Sequence, residues 1–254
     1  MIEFQGVRKS YGTKLAVRSL DLTIPAGELF ALLGPNGAGK TTSIKMLVGL
    51  LRPSKGALRV CGHDVVAAPQ EASRRLGYVP DEPYLYDKLS GREFLQFIID
   101  MYGFDRQAAA QSMEREIERF ELAGFVDDLS ETYSHGMKQR LVFAAALLHD
   151  PEVLVIDEPM VGLDPRSARL VKDTLRQRAA AGTAIFMSTH TLTVAEEIAS
   201  RIGIVDHGRL LCVGTLEELR REQALHDSTL EELFLQITAA AEANGQAPLD
   251  ETTA

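Results

Sequence analysis

The sequence has no tryptophan, only two cysteines and no long apolar run. A helix that crosses a bilayer needs about 20 consecutive apolar residues, whereas the uninterrupted apolar stretches here have the length of a strand or a short helix. The N-terminus also lacks a basic start followed by an apolar segment, so nothing indicates secretion. The sequence therefore predicts a cytoplasmic protein.

Positive charge is scarce as well. The 254 residues include 27 Lys and Arg against 36 Asp and Glu, a formal net charge of −9. Contacts with nucleic acid depend on Lys and Arg, so we predict no nucleic-acid partner. The two cysteines, Cys61 and Cys212, each lie in a strand-like run. We expect small buried apolar side chains there, not a disulfide or a metal pair.

A glycine-rich segment is the most informative feature present. The apolar run Leu29–Leu33 leads into G-x-x-x-x-G-K-T at 34–41, and apolar spacing predicts a helix over 41–51. The glycines let successive N–H groups converge on an anion, while the helix directs its positive dipole end to the same point. Lys40 would reach the β and γ phosphates, and the Thr41 hydroxyl would ligate Mg²⁺. We predict that the following residues bind a nucleotide: Gly34, Pro35, Asn36, Gly37, Ala38, Gly39, Lys40, Thr41 and Thr42.

Two acidic residues follow another buried strand. The apolar run 153–156 ends at Asp157 and Glu158, which is typical of the carboxyl end of a parallel strand. Asp157 would hold Mg²⁺, and Glu158 could orient and deprotonate an attacking water. A third apolar run, 184–187, ends in two hydroxyl residues and His190. A histidine at a strand end is most often a satisfied polar group, so alone it indicates little.

Five motifs occur in a fixed order. The phosphate loop is followed by S-H-G-M-K-Q-R at 134–140, D-E-P at 157–159, G-L-D-P at 162–165 and S-T-H at 188–190. Over residues 1–215 this order resembles the nucleotide-binding subunit of ATP-binding cassette (ABC) transporters, and the combination is more specific than any one motif. The resemblance implies an α/β fold: a P-loop NTPase core with a parallel sheet, an N-terminal antiparallel β lobe and an inserted α-helical lobe. It also implies an ATPase with ATP and Mg²⁺ as cofactors.

The resemblance implies a role for each matched residue. Tyr11 would stack on adenine, for which a flat aromatic face is suited. Glu158 would be the catalytic base, with Lys40 on the phosphates. His190 would contact the γ-phosphate and position the water. The Mg²⁺ ligands would be Thr41, Asp157 and Asp81.

The segment at 134–137 resembles the ABC signature sequence. By this resemblance, Ser134 and Gly136 at a helix N-terminus would bind the γ-phosphate of an ATP held by a partner subunit. The complete site would then exist only in a head-to-tail dimer, with Asp164 along the seam. We expect a second ATP-binding subunit, in a homodimer, and separate integral membrane permease subunits. The chain would lie on the inner face of the cell membrane.

Two departures from the family pattern stand out. Tyr133, His135 and Met137 replace the usual Leu, Gly and Gln of the signature, and Asp81 stands where the family has a glutamine. A carboxylate can reach Mg²⁺ or its water, but without metal it repels the γ-phosphate. Both departures resemble the cassettes that serve export of drugs, haem-related cargo, polysaccharide or antibiotics.

A rival hypothesis is a soluble ABC ATPase acting in translation, DNA repair or chromosome handling. Such proteins would show two cassettes, a long coiled coil or a zinc insertion, whereas residues 40–134 contain no long heptad run and no cysteine cluster. A small-molecule kinase is a weaker rival because it has no use for a signature helix. The soluble ATPase stays open as the alternative.

Periodicity sets the expected domain organisation. Residues 1–215 form the ATPase domain, and the helical lobe occupies about 86–150, opened by a capping box at Ser90 and Glu93. Residues 216–238 form a C-terminal helical extension, with further capping boxes at 215–218 and 228–231, and 239–254 form a flexible tail. We expect the apolar face of the extension to pack on the chain's own core.

A cluster of apolar residues follows Asp81. It would lie in a groove that, by resemblance, receives a short cytoplasmic helix of the membrane subunit. About half of its members would instead fill the core of the lobe. The cluster comprises Tyr84, Leu85, Tyr86 and Leu89.

Overall fold

A computed structural model describes residues 1–103, 106–223 and 228–243. Within them lie ten strands: β1 Ile2–Tyr11, β2 Lys14–Ile24, β3 Leu29–Leu33, β4 Lys55–Val60, β5 His63–Asp64, β6 Leu76–Val79, β7 Val153–Asp157, β8 Ala184–Thr189, β9 Arg201–Asp206 and β10 Arg209–Gly214. The α-helices of the same residues are α1 Lys40–Leu47, α2 Pro69–Ser73, α3 Gly91–Tyr102, α4 Arg106–Arg119, α5 His135–Leu147, α6 Pro165–Ala180, α7 Leu192–Ile198, α8 Leu216–Glu222 and α9 Leu230–Ala243. None of these helices is long and apolar enough to cross a membrane.

The strands form one sheet in the order β5-β4-β1-β2-β10-β9-β3-β8-β7-β6. Strands β9, β3, β8, β7 and β6 pair in parallel, and β1, β2, β4 and β5 pair antiparallel. Strand β10 joins the two parts, because it pairs antiparallel with β9 and touches β2 in parallel. The predicted α/β fold, with a parallel core and an N-terminal antiparallel lobe, is confirmed.

Helices α3, α4 and α5 lie between β6 and β7 in the chain and form the inserted helical lobe. At the start of α3, Glu93 N–H donates to Ser90 Oγ (3.2 Å) and Ser90 N–H donates to Glu93 Oε2 (2.8 Å), the predicted capping box. The lobe shares one apolar core with a face of the parallel sheet, in which Phe120 and Phe143 stack at 5.8 Å. Packing on the sheet thus fixes the position of the lobe relative to the parallel strands.

Two local predictions are wrong. Helix α1 ends at Leu47 instead of residue 51, because Gly49 takes a left-handed conformation (φ +79°) and turns the chain away. Cys61 does not lie in a strand: it occupies the turn between β4 and β5 at φ +50°. Cys61 and Cys212, which does lie in β10, are both free thiols and only half-buried.

The C-terminal helix packs as expected on the chain's own core, with Leu230, Leu233 and Ile237 buried. Its capping box lies one residue later than predicted and consists of Thr229 and Glu232. The helix also continues to residue 243, past the predicted boundary at 238. Residues 244–254 of the predicted tail lie outside the described part of the chain.

Removing the observed cap should destabilise the protein. The Glu232 N–H donates to Thr229 Oγ1 (3.3 Å), so Thr229→Ala leaves a helix donor without its acceptor. We expect a loss of about 1 kcal/mol in the free energy of unfolding, measured by urea denaturation. Thr191→Ala is the matched control, because Thr191 is the N-cap of α7 but its side chain accepts no cap hydrogen bond. Equal losses in both variants would contradict the assignment.

Candidate functional site

The phosphate loop runs from the end of β3 to α1, and close packing requires glycine at two of its positions. A Cβ on Gly34 would lie 2.2 Å from the Val205 carbonyl oxygen of β9. A Cβ on Gly39, which has φ +106°, would lie 2.6 Å from the Ala16 carbonyl oxygen of β2. The loop is therefore fixed between the parallel core and the antiparallel lobe.

Lys40, the first residue of α1, is buried within this loop. Its Nζ donates to the carbonyl oxygens of Gly34 (2.7 Å) and Pro35 (3.1 Å). Burial lowers the pKa of Lys40, and the carboxylates of Glu158 and Asp157 oppose that shift. The loop thus concentrates one buried cation beside two acids.

Asp157 ends β7 and is 1% exposed. The Ser188 hydroxyl of the neighbouring strand β8 donates to its Oδ1. Burial raises the pKa of Asp157, and the hydroxyls of Ser188 and Thr41 oppose that shift. Among the described residues, Asp157 Oδ2 has no hydrogen-bond partner although it is buried. A buried oxygen without a partner is costly unless a cation or a donor satisfies it.

This donor set fits Mg²⁺. In the described part of the chain no group of three or more His, Cys, Asp or Glu could form a protein cage around a metal. Mg²⁺ is usually bound by one or two carboxylates, and phosphates and waters complete its shell. The partnerless Oδ2 of Asp157, together with the Thr41 hydroxyl that acts on the pKa of the same carboxylate, provides such a partial shell.

Asp81 lies in the exposed loop after β6. Burial raises the pKa of Tyr78 to about 12, and the charges of Asp157 and Asp81 act in the same direction. Asp81 also contributes to the raised pKa of Asp157. The carboxylate is thus within electrostatic range of Asp157, but a direct role at the metal stays a prediction.

Glu158 and His190 form a close pair. Glu158 Oε1 lies 2.8 Å from His190 Nδ1, while its Oε2 accepts from the Thr189 hydroxyl (3.1 Å) and the His190 N–H (3.3 Å). The Glu158 backbone takes φ +51° and its N–H donates to the Ser188 carbonyl (3.1 Å). The carboxylate is thus held in one orientation, which suits a general base. The sequence placed two hydroxyl residues at the end of β8, but it did not indicate that Thr189 binds Glu158 and Ser188 binds Asp157.

Tyr11 ends β1 and is 48% exposed. The Lys9 ammonium lies 5.2 Å from the centre of the ring. Strand β2, which follows in the hairpin, approaches the phosphate loop where Ala16 meets Gly39. An exposed aromatic face on this hairpin is compatible with base stacking, which stays a prediction.

Ser134 and Asp164 both cap helices. Ser134 is the exposed N-cap of α5, with its Oγ accepting from Met137 N–H (3.3 Å). In the described part of the chain it makes no hydrogen bond to the phosphate loop. Asp164 accepts from the N–H groups of Arg166 and Ser167 at 2.9 and 3.0 Å and from the Ser167 hydroxyl. The hydroxyl bond first, and then the backbone bonds, lower the pKa of Asp164. Asp164 therefore caps α6, a role that the motif did not indicate; its place at a seam stays a prediction.

Comparison with known proteins gives a consistent result. The family described as ABC transporter matches residues 17–161. The daunorubicin/doxorubicin resistance ATP-binding protein DrrA of Streptomyces peucetius is 41% identical over 219 residues, covering 86% of this chain and 66% of that protein. The Nod factor export ATP-binding protein I of Burkholderia lata is 40% identical, covering 84% of this chain and 70% of that protein. The chain thus spans about two thirds of the length of these relatives.

Solved structures agree on the fold. An ATP-binding subunit of an ABC transporter superposes with a TM-score of 0.89 at 31% identity, covering 94% of this chain and 99% of that one. A dimeric ATP-binding cassette in a post-hydrolysis state with ADP and Pi superposes with a TM-score of 0.78 at 22% identity, covering 85% of this chain and 99% of that one. The second likeness concerns the fold alone.

The buried carboxylate should reduce stability at neutral pH. Because the pKa of Asp157 is raised by folding, the folded state loses stability as pH rises from the unfolded pKa through the folded one. We expect Asp157→Asn to melt at a higher temperature than the parent at pH 7, and the gain to shrink as pH falls through the raised pKa. Calorimetry between pH 4.5 and 7.5, without nucleotide or metal, measures the difference.

Asp164→Asn is the control of opposite sign. Folding lowers the pKa of Asp164, so its charged form stabilises the protein above the unfolded pKa, and that contribution is lost as pH falls through the folded pKa. This variant should melt at a lower temperature at pH 7. A lower melting temperature for Asp157→Asn at pH 7 would contradict the penalty assigned to its burial.

Proposed function

The chain belongs to the ABC transporter family, and from this membership we propose that it powers export through separate membrane subunits. It is an ATP-binding ATPase of that family. The observation that carries the proposal is the separation of two half-sites: one contains the phosphate loop and the acidic pair, and the other is the exposed N-terminus of α5 at Ser134. A head-to-tail dimer would bring one half-site of each subunit onto each ATP.

The residues of one chain divide the chemistry between them. The ammonium of Lys40 would exchange the Gly34 and Pro35 carbonyls for β and γ phosphate oxygens, which form stronger charge-assisted hydrogen bonds. Glu158 would orient the attacking water and take its proton. His190 would keep the carboxylate in place and could contact the γ-phosphate through Nε2. Such a division suits phosphoryl transfer, in which placement and charge stabilisation supply most of the catalysis.

Mg²⁺ would be held by Asp157 and Thr41, with Asp81 as a third candidate. When bound, the ion would neutralise charge on the phosphates. The protein supplies a desolvated oxygen of Asp157 for the ion. The Ser188 hydroxyl, which donates to the other oxygen, fixes the orientation of that carboxylate. The second-layer hydrogen bond limits the carboxylate to one rotamer and leaves the other oxygen for the ion.

Transport is favoured over the soluble rival by the relatives, which are named for drug resistance and Nod factor export. We propose that the membrane subunits dock at a groove of about 340 Å³ between β6 and the helical lobe. Its lining includes Leu50, Tyr78, Tyr84, Phe94, Ile98 and Tyr102. At this groove the chain would lie against the inner face of the membrane.

The aromatic residues beside the groove support this docking site. Tyr84 and Tyr86 are 77% and 48% exposed, whereas Leu85 is buried and Leu89 half-buried. Tyr86 makes edge contacts with Tyr84 (5.9 Å) and with Phe97 of α3 (5.7 Å). Exposed clustered aromatics are typical of protein interfaces. Half of the predicted cluster thus faces outward and could contact a partner helix.

Replacing the proposed base should separate binding from turnover. Glu158→Gln keeps the shape, removes the base and lessens charge repulsion at the seam. We expect the variant to bind ATP, to lose hydrolysis by orders of magnitude and to accumulate as an ATP-dependent dimer on size exclusion with light scattering. Lys40→Ala, which should weaken binding of the phosphates, is the control for dimer formation. Hydrolysis by Glu158→Gln at the parent rate would refute the assigned role.

Blocking the second half-site should abolish the dimer but not nucleotide binding. Ser134→Arg, introduced into the Glu158→Gln protein, places a long side chain where the partner's γ-phosphate would sit. We expect unchanged ATP affinity in the monomer and no ATP-dependent dimer. Thr215→Arg is the matched control, since Thr215 caps α8 in the same way but belongs to neither half-site. A loss of monomer affinity as large as that of Lys40→Ala would place Ser134 in its own chain's pocket and refute the head-to-tail arrangement.

A further inference from the structure

His135 makes a contact that neither its place in the signature segment nor the proposed mechanism requires. It is the first residue of α5, directly after the N-cap Ser134. Its Nε2 lies 3.1 Å from the carbonyl oxygen of Val161. A carbonyl oxygen accepts only, so Nε2 carries the hydrogen and donates. The imidazole thus joins the start of α5 to the turn between β7 and α6.

The turn is shaped to receive the ring. Gly162 has φ +72°, and a Cβ there would lie 2.4 Å from His135 Cδ2 and 2.8 Å from Nε2. The imidazole occupies the space that a side chain at 162 would need. The hydrogen bond is exposed to solvent, but the ring lies directly against the turn because the glycine leaves room for it. The family pattern has glycine at position 135, which could make no such contact.

The receiving turn begins at the proposed base. Val161 N–H donates to the Glu158 carbonyl (3.4 Å), and Leu163 N–H donates to the Met160 carbonyl (3.3 Å). Val161 is thus bonded on one side to the backbone of Glu158 and on the other to the ring of His135. Only two residues, Pro159 and Met160, separate the accepted Val161 carbonyl from Glu158. A shift at the start of α5 would reach Glu158 through this turn.

We propose that His135 is a positioning residue that fixes the backbone of Glu158 to the N-terminus of α5. The inference rests on the proposed function, in which Ser134 binds the partner's ATP and Glu158 activates water on its own chain's ATP. One short link then joins the two half-sites within a subunit. Movement of the N-terminus of α5, when Ser134 engages the partner's nucleotide, is passed through this link to the turn behind Glu158, and each half-site affects the other.

Two substitutions separate the hydrogen bond from the volume of the ring. His135→Gln retains a side-chain N–H donor at nearly the reach of Nε2, whereas His135→Leu fills similar space without a donor. His63→Leu is the control, because His63 lies on β5 at the far edge of the sheet and outside both half-sites. Thermal unfolding of each protein establishes that it is folded.

Hydrogen exchange of the 158–163 amides, followed by mass spectrometry in the Glu158→Gln background with ATP, reports the link directly. In His135→Leu these amides should exchange faster, while His135→Gln and His63→Leu should match the parent. Steady-state ATP hydrolysis, measured in proteins that retain Glu158, shows whether loss of the link lowers the rate of turnover. We expect His135→Leu to lose kcat by about fivefold, the effect of one modest hydrogen bond, with KM unchanged. His135→Gln should restore kcat.

The outcomes decide between the alternatives. Unchanged exchange and kcat in His135→Leu would overturn the inference, as would a His135→Gln protein as impaired as His135→Leu. An increase in KM with kcat unchanged would place His135 in nucleotide binding and also overturn it. Absence of hydrolysis in the parent would count against the proposed function alone, because the exchange comparison would still decide whether the link exists.

Discussion

The site depends on three parallel strands that end in the same row of the sheet. In that register Leu33 of β3 pairs with Thr189 of β8, and Ser188 of β8 pairs with Asp157 of β7. The phosphate loop follows β3, and the acidic pair lies at the end of β7. The two hydroxyl residues and His190 lie at the end of β8. A shift of one residue between β7 and β8 would turn Asp157 to the other face of the sheet and separate Glu158 from its partners. The buried apolar runs that set this register are therefore as necessary to the chemistry as the polar residues.

The same arrangement sets a conflict between stability and function. Burial raises the pKa of Asp157 and lowers that of Lys40, so both groups lose hydration in their charged forms. Ser188 satisfies one oxygen of Asp157, and carbonyl oxygens satisfy part of the ammonium, but Asp157 Oδ2 has no partner among the described residues. Such unsatisfied groups are retained where a ligand completes them. Thus the desolvation that weakens the folded protein would strengthen each interaction with phosphate and metal in the proposed function.

Much of the fold could be predicted from local patterns, because each such pattern depends on residues close in the chain. The glycine loop, the acidic strand end and the capping boxes at Ser90 and Thr215 are of this kind. The failures arise where distant packing decides. The capping box expected at Ser228 lies at Thr229 instead. Ser228 is buried, and its carbonyl oxygen accepts a hydrogen bond from Arg220 of α8.

The pairing of Glu158 with His190 likewise depends on the order of strands, which the spacing of 32 residues does not reveal. Only the resemblance to a family placed both residues at one site. Neither the local sequence patterns nor the family resemblance indicates the contact of His135 with Val161, because the family pattern has glycine at position 135. The contact follows from the combination of a histidine at 135 and a glycine at 162, and it could be recognised only when the two segments were brought together.

The turn between β7 and α6 is held from both sides within one chain. Asp164 caps α6 with three hydrogen bonds, and His135 donates to the carbonyl of Val161 in the middle of the turn. The nearby ion pair of Arg166 with Glu121 is exposed and adds little, since such pairs are worth about 0–1 kcal/mol. The hydrogen bonds of Asp164 and His135 act directly on the backbone of the turn, whereas the ion pair joins two long, exposed side chains. A turn ordered before association loses less conformational entropy on meeting a partner, so a seam built on it would form with a smaller entropic penalty.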